Sequence, residues 1–82
     1  MRKAIKRKIN QIVPNFFWEY NDFITRQKLI NELFEATNIQ FVDHTTDELV
    51  VNNLVYLQGY DPIDKKMIDL TISVHIQHIQ VE

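Results

Sequence analysis

Residues 68–77 read IDLTISVHIQ, in which apolar and polar side chains alternate without a break. Successive side chains of a β-strand point to opposite faces, so this pattern predicts a strand with one buried and one solvated face. Such strands are typical of an antiparallel sheet that is covered on one side. The buried face is expected to hold Ile68, Leu70, Ile72, Val74 and Ile76.

This strand is expected over about 66–81, although its pattern changes after Gln77. Ile79 and Val81 fall at positions that belong to the polar face of the preceding residues. Either a bulge redirects the chain there, or the last residues leave the sheet and bury against something else.

Two further strands are expected upstream, over about 39–43 and 48–60, separated by a turn-like sequence. Asn52 and Asn53 interrupt the longer segment and would permit a tight hairpin, since asparagine tolerates positive φ. We favour one continuous strand, because a hairpin would leave strands of only about four residues. The Asp61-Pro62 pair then predicts the turn into the final strand.

A first helix is expected over about 2–13. Ile5, Ile9 and Ile12 recur at helical spacing on one face, and Pro14 disfavours any continuation. Bases crowd its N-terminal end and oppose the helix dipole, so the helix should be weak in isolation. We therefore expect it to dock its isoleucine face, either on the body of the domain or on a partner.

A second helix is expected over about 22–37. Asn21, Asp22 or Thr25 could cap its start, and Asn38 suits the left-handed residue that ends a helix. Its apolar stripe comprises Leu29, Ile30, Leu33 and Phe34. Its polar side, expected to face water, comprises Arg26, Lys28, Asn31, Glu32 and Glu35.

The order of these elements predicts an α+β fold. Two helices would pack on one face of a three-stranded, mainly antiparallel sheet, which gives a two-layer domain. A chain of 82 residues is one domain at most, so we expect a single domain over 1–82.

Charge is strongly segregated along the chain, although the formal net charge is only −2. Residues 1–10 hold five bases and no acid, whereas residues 11–82 hold four bases and all eleven acids. A protein that coats nucleic acid should have a basic body as well. The segregation therefore favours a charge-complementary contact with protein.

The composition excludes several kinds of site. The chain has no cysteine, so disulfides, thiolate metal sites and cysteine nucleophiles are excluded. Its single glycine, Gly59, excludes glycine-rich phosphate loops and nucleophile elbows. His75 and His78 would point to opposite faces of a strand, and His44 lies in a turn. We therefore expect no enzyme, and no metal, cofactor or small-molecule substrate.

Three features are candidates for partner binding: the basic helix, the aromatic block at 16–20 and the C-terminal strand. Within the aromatic block, Phe16 and Phe17 are expected in the core, which leaves the other aromatics as interface anchors. An unprotected strand edge invites pairing with another chain. The candidate partner-binding residues are Lys3, Lys6, Arg7, Lys8, Trp18, Tyr20, Ile79 and Val81.

Together these features predict a small protein-interaction or assembly module that binds a protein partner or forms homo-oligomers. The composition, free of cysteine and rich in Asn, Ile and Lys, resembles that of structural and accessory proteins of phages and other mobile elements. Nucleic-acid binding through the basic helix is the alternative. No apolar run approaches the roughly 20 residues that span a bilayer, so the host cytoplasm or a virion is the expected location.

Overall fold

The computed structural model describes residues 1–76. It confirms the α+β fold, with helices packed on one face of a three-stranded antiparallel sheet. The helices are α1 (Lys3–Ile12), α2 (Phe23–Thr37) and α3 (Asp47–Val51). The strands are β1 (Phe41–Asp43), β2 (Leu54–Asp61) and β3 (Lys66–Ser73).

The sheet has the order β1-β2-β3, and both neighbouring pairs are antiparallel. Val55 lies opposite Ile72, and Gly59 lies between Phe41 of β1 and Ile68 of β3. The alternation expected for the final strand is confirmed, because its apolar side chains share the face that the helices cover.

The strand predicted over 48–60 is wrong in its first half, which is helical. The Thr46 hydroxyl accepts a hydrogen bond from the Leu49 amide at 3.3 Å, so it caps α3. Asp47 and Glu48 occupy the first turn, where negative charge suits the helix dipole. Asn53 then adopts a φ of 55° and turns the chain into β2. The two asparagines thus join a helix to a strand.

The final strand is shorter than the predicted 66–81, because β3 ends at Ser73. Ile76 forms an isolated parallel bridge with Trp18 of the aromatic block at 16–20. Ile79 and Val81, and the change of pattern after Gln77, lie outside the described residues.

Helix α1 docks on the body of its own chain. Ile5 and Ile9 are buried in the core, and α1 packs against α2. It ends at Ile12, and a 3-10 turn containing Pro14 follows. The isoleucine stripe therefore serves the internal packing of the protein.

Helix α2 begins and ends as its sequence predicts. The Asp22 carboxylate accepts a hydrogen bond from the Thr25 amide at 2.8 Å, and Asn38 takes the left-handed conformation with a φ of 61°. Its side-chain assignment needs two corrections. Arg26 is only 8 % exposed because it faces a buried carboxylate, and Phe34 is largely exposed because the stripe that contacts the sheet is narrow.

One cluster of buried side chains joins the helices to the sheet. It draws on α1, α2, all three strands and the segments between them. Its members are Ile5, Ile9, Trp18, Leu29, Ile30, Leu33, Ile39, Phe41, Val55, Leu57, Ile68, Ile72 and Val74.

Candidate functional site

A groove of about 960 Å³ runs between the outer side of α2 and the segment at 15–20. Three large apolar side chains line it and remain exposed to solvent: Phe17 at 47 %, Tyr20 at 61 % and Ile24 at 67 %. A cluster of exposed apolar groups with a polar rim is a common mark of an interaction site. We call this feature the α2 groove.

The segment at 15–20 presents its side chains alternately, as extended backbone does. Trp18 points inward, is only 4 % exposed and packs edge-to-face on Phe16 with ring centroids 4.9 Å apart. Its neighbours Phe17 and Glu19 are therefore turned outward into the groove. The burial of Trp18 fixes one wall of the site.

Helix α2 forms the other wall. Ile24, Lys28, Glu32 and Glu35 recur at helical spacing, so they form one stripe along the helix. This stripe differs from the buried one, which contacts the sheet. The same helix thus holds the core together and lines the groove.

The groove is acidic. Glu19, Asp22, Glu32 and Glu35 line it, and Lys28 is the one basic side chain among the described lining residues. Only Asp22 has a structural role, as the cap of α2, and hydrogen bonding from Thr25 lowers its pKa. The other three carboxylates form no ion pair with any residue of 1–76. They face solvent and can meet a cation.

The basic side chains of α1 lie on its exposed side. The Lys8 ammonium donates to the Ala36 carbonyl oxygen at 2.8 Å, so it is engaged with the end of α2. Lys3, Lys6 and Arg7 make no hydrogen bond or ion pair through their side chains within the described part of the chain. Three outward cations therefore remain on this helix.

Two ion pairs fasten the helices to the sheet. The Arg26 Nε donates to Asp43 Oδ2 at 2.6 Å, and its Nη1 donates to Asn21 Oδ1 at 2.8 Å. Burial raises the pKa of Asp43, but the hydrogen bonds from Thr45 and Arg26 outweigh it, so the pKa lies below its ordinary value. This pair is a structural clamp beneath α2.

The second pair joins Arg2, directly before α1, to the start of the β2–β3 turn. Its Nε donates to Asp61 Oδ2 at 2.7 Å, and the Asp61 carboxylate has no exposed surface. The hydrogen bond from Arg2 outweighs the effect of burial and, with the Ile63 amide, lowers the pKa of Asp61. Burial without a counter-charge would raise it.

The outer face of the sheet carries a small polar network. The Tyr56 hydroxyl and the Gln58 amide both donate to Asp69 Oδ1, at 2.9 and 3.0 Å. The bond to Asp69 raises the pKa of Tyr56. His44 packs near Tyr56, with ring centroids 5.9 Å apart. His75 follows the end of β3. Within residues 1–76, no three His, Asp or Glu side chains converge as a metal site would require.

The structure separates the predicted partner-binding residues. Tyr20 lies in the α2 groove, the four bases lie on the exposed side of α1, and Trp18 lies in the core, where it is unavailable as an anchor. Sequence reasoning missed Phe17 and Ile24, having placed Phe17 in the core. An available signal was that Ile24 lies outside the buried stripe of α2.

No protein-family model, curated protein or solved structure matches the chain. None of the helices within residues 1–76 is long and apolar enough to cross a bilayer.

Proposed function

We propose that the chain is a non-enzymatic protein-interaction module and that the α2 groove is its binding surface. One observation supports this: Phe17, Tyr20 and Ile24 remain exposed together inside a concave site. Each apolar square ångström removed from water contributes about 25 cal/mol, so covering them would favour binding. Aromatic side chains are also enriched among the residues that carry binding energy.

The rim of the groove indicates the chemistry of its partner. Its carboxylates attract cations, and the rings of Phe17 and Tyr20 can receive the aliphatic stems or charged ends of Lys and Arg. The groove therefore suits a basic segment of a protein that also carries apolar groups. Charge complementarity would speed the encounter and select the partner.

A peptide probe tests this function. A fluorescently labelled amphipathic helix of Lys and Leu, added to the full chain, should bind and raise the fluorescence anisotropy. A helix of Glu and Leu with the same spacing should not bind. Tyr20→Ser with Ile24→Ser should weaken binding of the Lys/Leu helix at least about tenfold, which corresponds to about 1.4 kcal/mol.

A matched control variant replaces Val51 and Ile63 by Ser. Both side chains are at least as exposed as those of the groove, yet neither lines it. This control should bind the Lys/Leu helix as the unaltered chain does. Equal loss in both variants, or no binding of the basic helix at all, would overturn the proposal.

Nucleic-acid binding is the second candidate, favoured by the exposed bases of α1. Phosphate contacts would make its affinity fall steeply with salt. A mobility-shift assay with Lys6→Glu and Arg7→Glu in the full chain tests it. Affinity that is lost in this variant supports nucleic-acid binding, whereas absence of affinity in the unaltered chain at low salt removes it.

The biological setting that we propose is assembly of a phage particle or a mobile element, in the host cytoplasm or a virion. The resemblance in composition supports it. The neighbourhood of the gene tests it, because a place among virion-assembly genes would support the setting and a place within an unrelated metabolic operon would contradict it.

A further inference from the structure

We infer that the occupant of the α2 groove is the basic side of α1 from a second copy of the same chain. This inference rests on the proposed function of the groove and names its partner. The chain carries both halves of a complementary contact: three exposed carboxylates with exposed aromatic rings, and three outward cations on a helix.

The cations are available for contact outside their own chain. Lys3, Lys6 and Arg7 are exposed, whereas Arg2 is paired with Asp61 and Lys8 donates to Ala36. Since α1 buries its isoleucines in its own body, it would dock as part of a folded copy. The contact would therefore be made by charges and by the stems of Lys and Arg.

The spacing of the charges matches on the two helices. Lys3 and Lys6 are three residues apart, about 4.5 Å along the axis at about 1.5 Å per residue. On α2, Glu32 and Glu35 follow each other at about 4.5 Å, with Lys28 one turn before Glu32. Two helices lying side by side would bring two cations to two carboxylates. The rings of Phe17 and Tyr20 then lie beside the cationic side chains.

Charge-swapped variants of the full chain give the sharpest test. Light scattering and sedimentation should show that the unaltered chain self-associates at about 0.1 M salt and dissociates at about 1 M, where the Debye length falls to about 3 Å. Lys6→Glu with Arg7→Glu should reduce the association constant at least about tenfold. Glu32→Lys with Glu35→Lys should do the same.

Mixing the two variants is the decisive arm. Within either variant alone, the groove and α1 carry charges of the same sign. In the mixture, the acidic groove of the α1 variant can meet the basic α1 of the groove variant, so association should return. Lys65→Glu with Lys66→Glu changes the net charge by the same amount as the α1 variant, on exposed residues outside both surfaces. This control should associate as the unaltered chain does.

The outcomes separate this inference from the proposed function. A chain that binds the Lys/Leu helix but stays monomeric at low salt keeps the groove function and overturns the second copy as its occupant. Self-association that the charge reversals leave unchanged, or that mixing does not restore, also overturns it. Binding of nucleic acid by α1 without self-association assigns the cations to that partner instead. Circular dichroism shows that each variant is folded.

Discussion

The inner and outer sides of α2 differ in burial and in their contacts. The inner side places Leu29 and Leu33 against the sheet with no exposed surface, and it pairs Arg26 with Asp43. The outer side leaves Ile24 exposed above a row of carboxylates. Both sides hold apolar residues, yet only the inner ones belong to the buried core. The proposed binding function of the groove would account for the exposed apolar residues on the outer side.

The largest difference between the two sides should follow from removal of an inner side chain. Leu33→Ala creates a cavity in a fully buried site and should lower the free energy of unfolding by about 4 kcal/mol. Ile24→Ala on the outer side should change it by less than about 0.5 kcal/mol. Urea unfolding followed by circular dichroism measures both values. Similar losses of stability in the two variants would contradict this difference between the inner and outer sides of α2.

The clamp beneath α2 should produce the next largest effect. Arg26→Met leaves the Asp43 carboxylate buried without its cation, which should cost about 3 kcal/mol of stability. Lys28→Met, on the outer side of the same helix, is the matched control and should be nearly neutral. Arg26→Met combined with Asp43→Leu should recover part of the loss. Chemical denaturation decides this, and a destabilised Lys28 variant would speak against it.

Overpacking at Gly59 should have the third largest effect on stability. A Cβ added at Gly59 would lie 2.8 Å from Phe41 Cδ1 and 3.0 Å from Ile39 Cγ2. Gly59→Ala should therefore lower stability by about 2 kcal/mol through overpacking. Phe41→Leu in the same chain makes room and should restore part of it. Thermal unfolding tests this, and a fully stable Gly59→Ala chain would show that the neighbouring side chains can shift.

Acid should weaken the attachment of the helices to the sheet. Asp43 and Asp61 have folded pKa values below the ordinary value of 3.8, so their stabilisation is present above that pH and is lost as the pH falls through the folded values. Arg2→Met removes the main cause for Asp61. The stability gap between this variant and the unaltered chain should be widest at neutral pH and should narrow below about pH 4. A gap independent of pH in urea titrations would exclude this role for Arg2.

The smallest effect on stability is expected in the groove itself. Tyr20→Ser with Ile24→Ser should change the free energy of unfolding by no more than about 0.5 kcal/mol per residue, because both side chains are largely exposed. The same variant should lose most of its affinity for the basic helix. A strong loss of stability would place these residues in the fold and would remove the functional argument for the groove.

Local sequence signals predicted much of the fold. The alternation at 68–76 predicted the strand face, and Pro14 and Asn38 predicted where the two long helices end. The segment at 48–53 failed because its β-branched residues favour strands, whereas a cap at Thr46 starts a helix. In this segment, the capping hydrogen bonds of the helix decide the structure, and the strand preference of the β-branched residues does not.

The candidate binding surface was harder to predict from the sequence than the fold. Tyr20 and the bases of α1, predicted to bind a partner, are exposed. Trp18, also predicted to bind a partner, is buried, whereas Phe17, predicted in the core, is exposed. In an extended segment such as 16–20, neighbouring side chains point to opposite sides. The alternation alone does not determine which of the two sets faces the core. The docking of Trp18 on Phe16 and beside Ile76 selected one parity.

The sequence by itself determined the two long helices, the alternating final strand, the segregation of charge and the absence of cysteine and glycine-rich chemistry, since these depend on composition and short-range spacing. Tertiary structure alone decided that Arg26 forms a buried ion pair and that Phe17, Ile24 and four carboxylates share one groove. These residues are separated along the chain or share a helix with core residues. Only the packing of α2 against the sheet determines which of its sides is covered and which stays open to solvent.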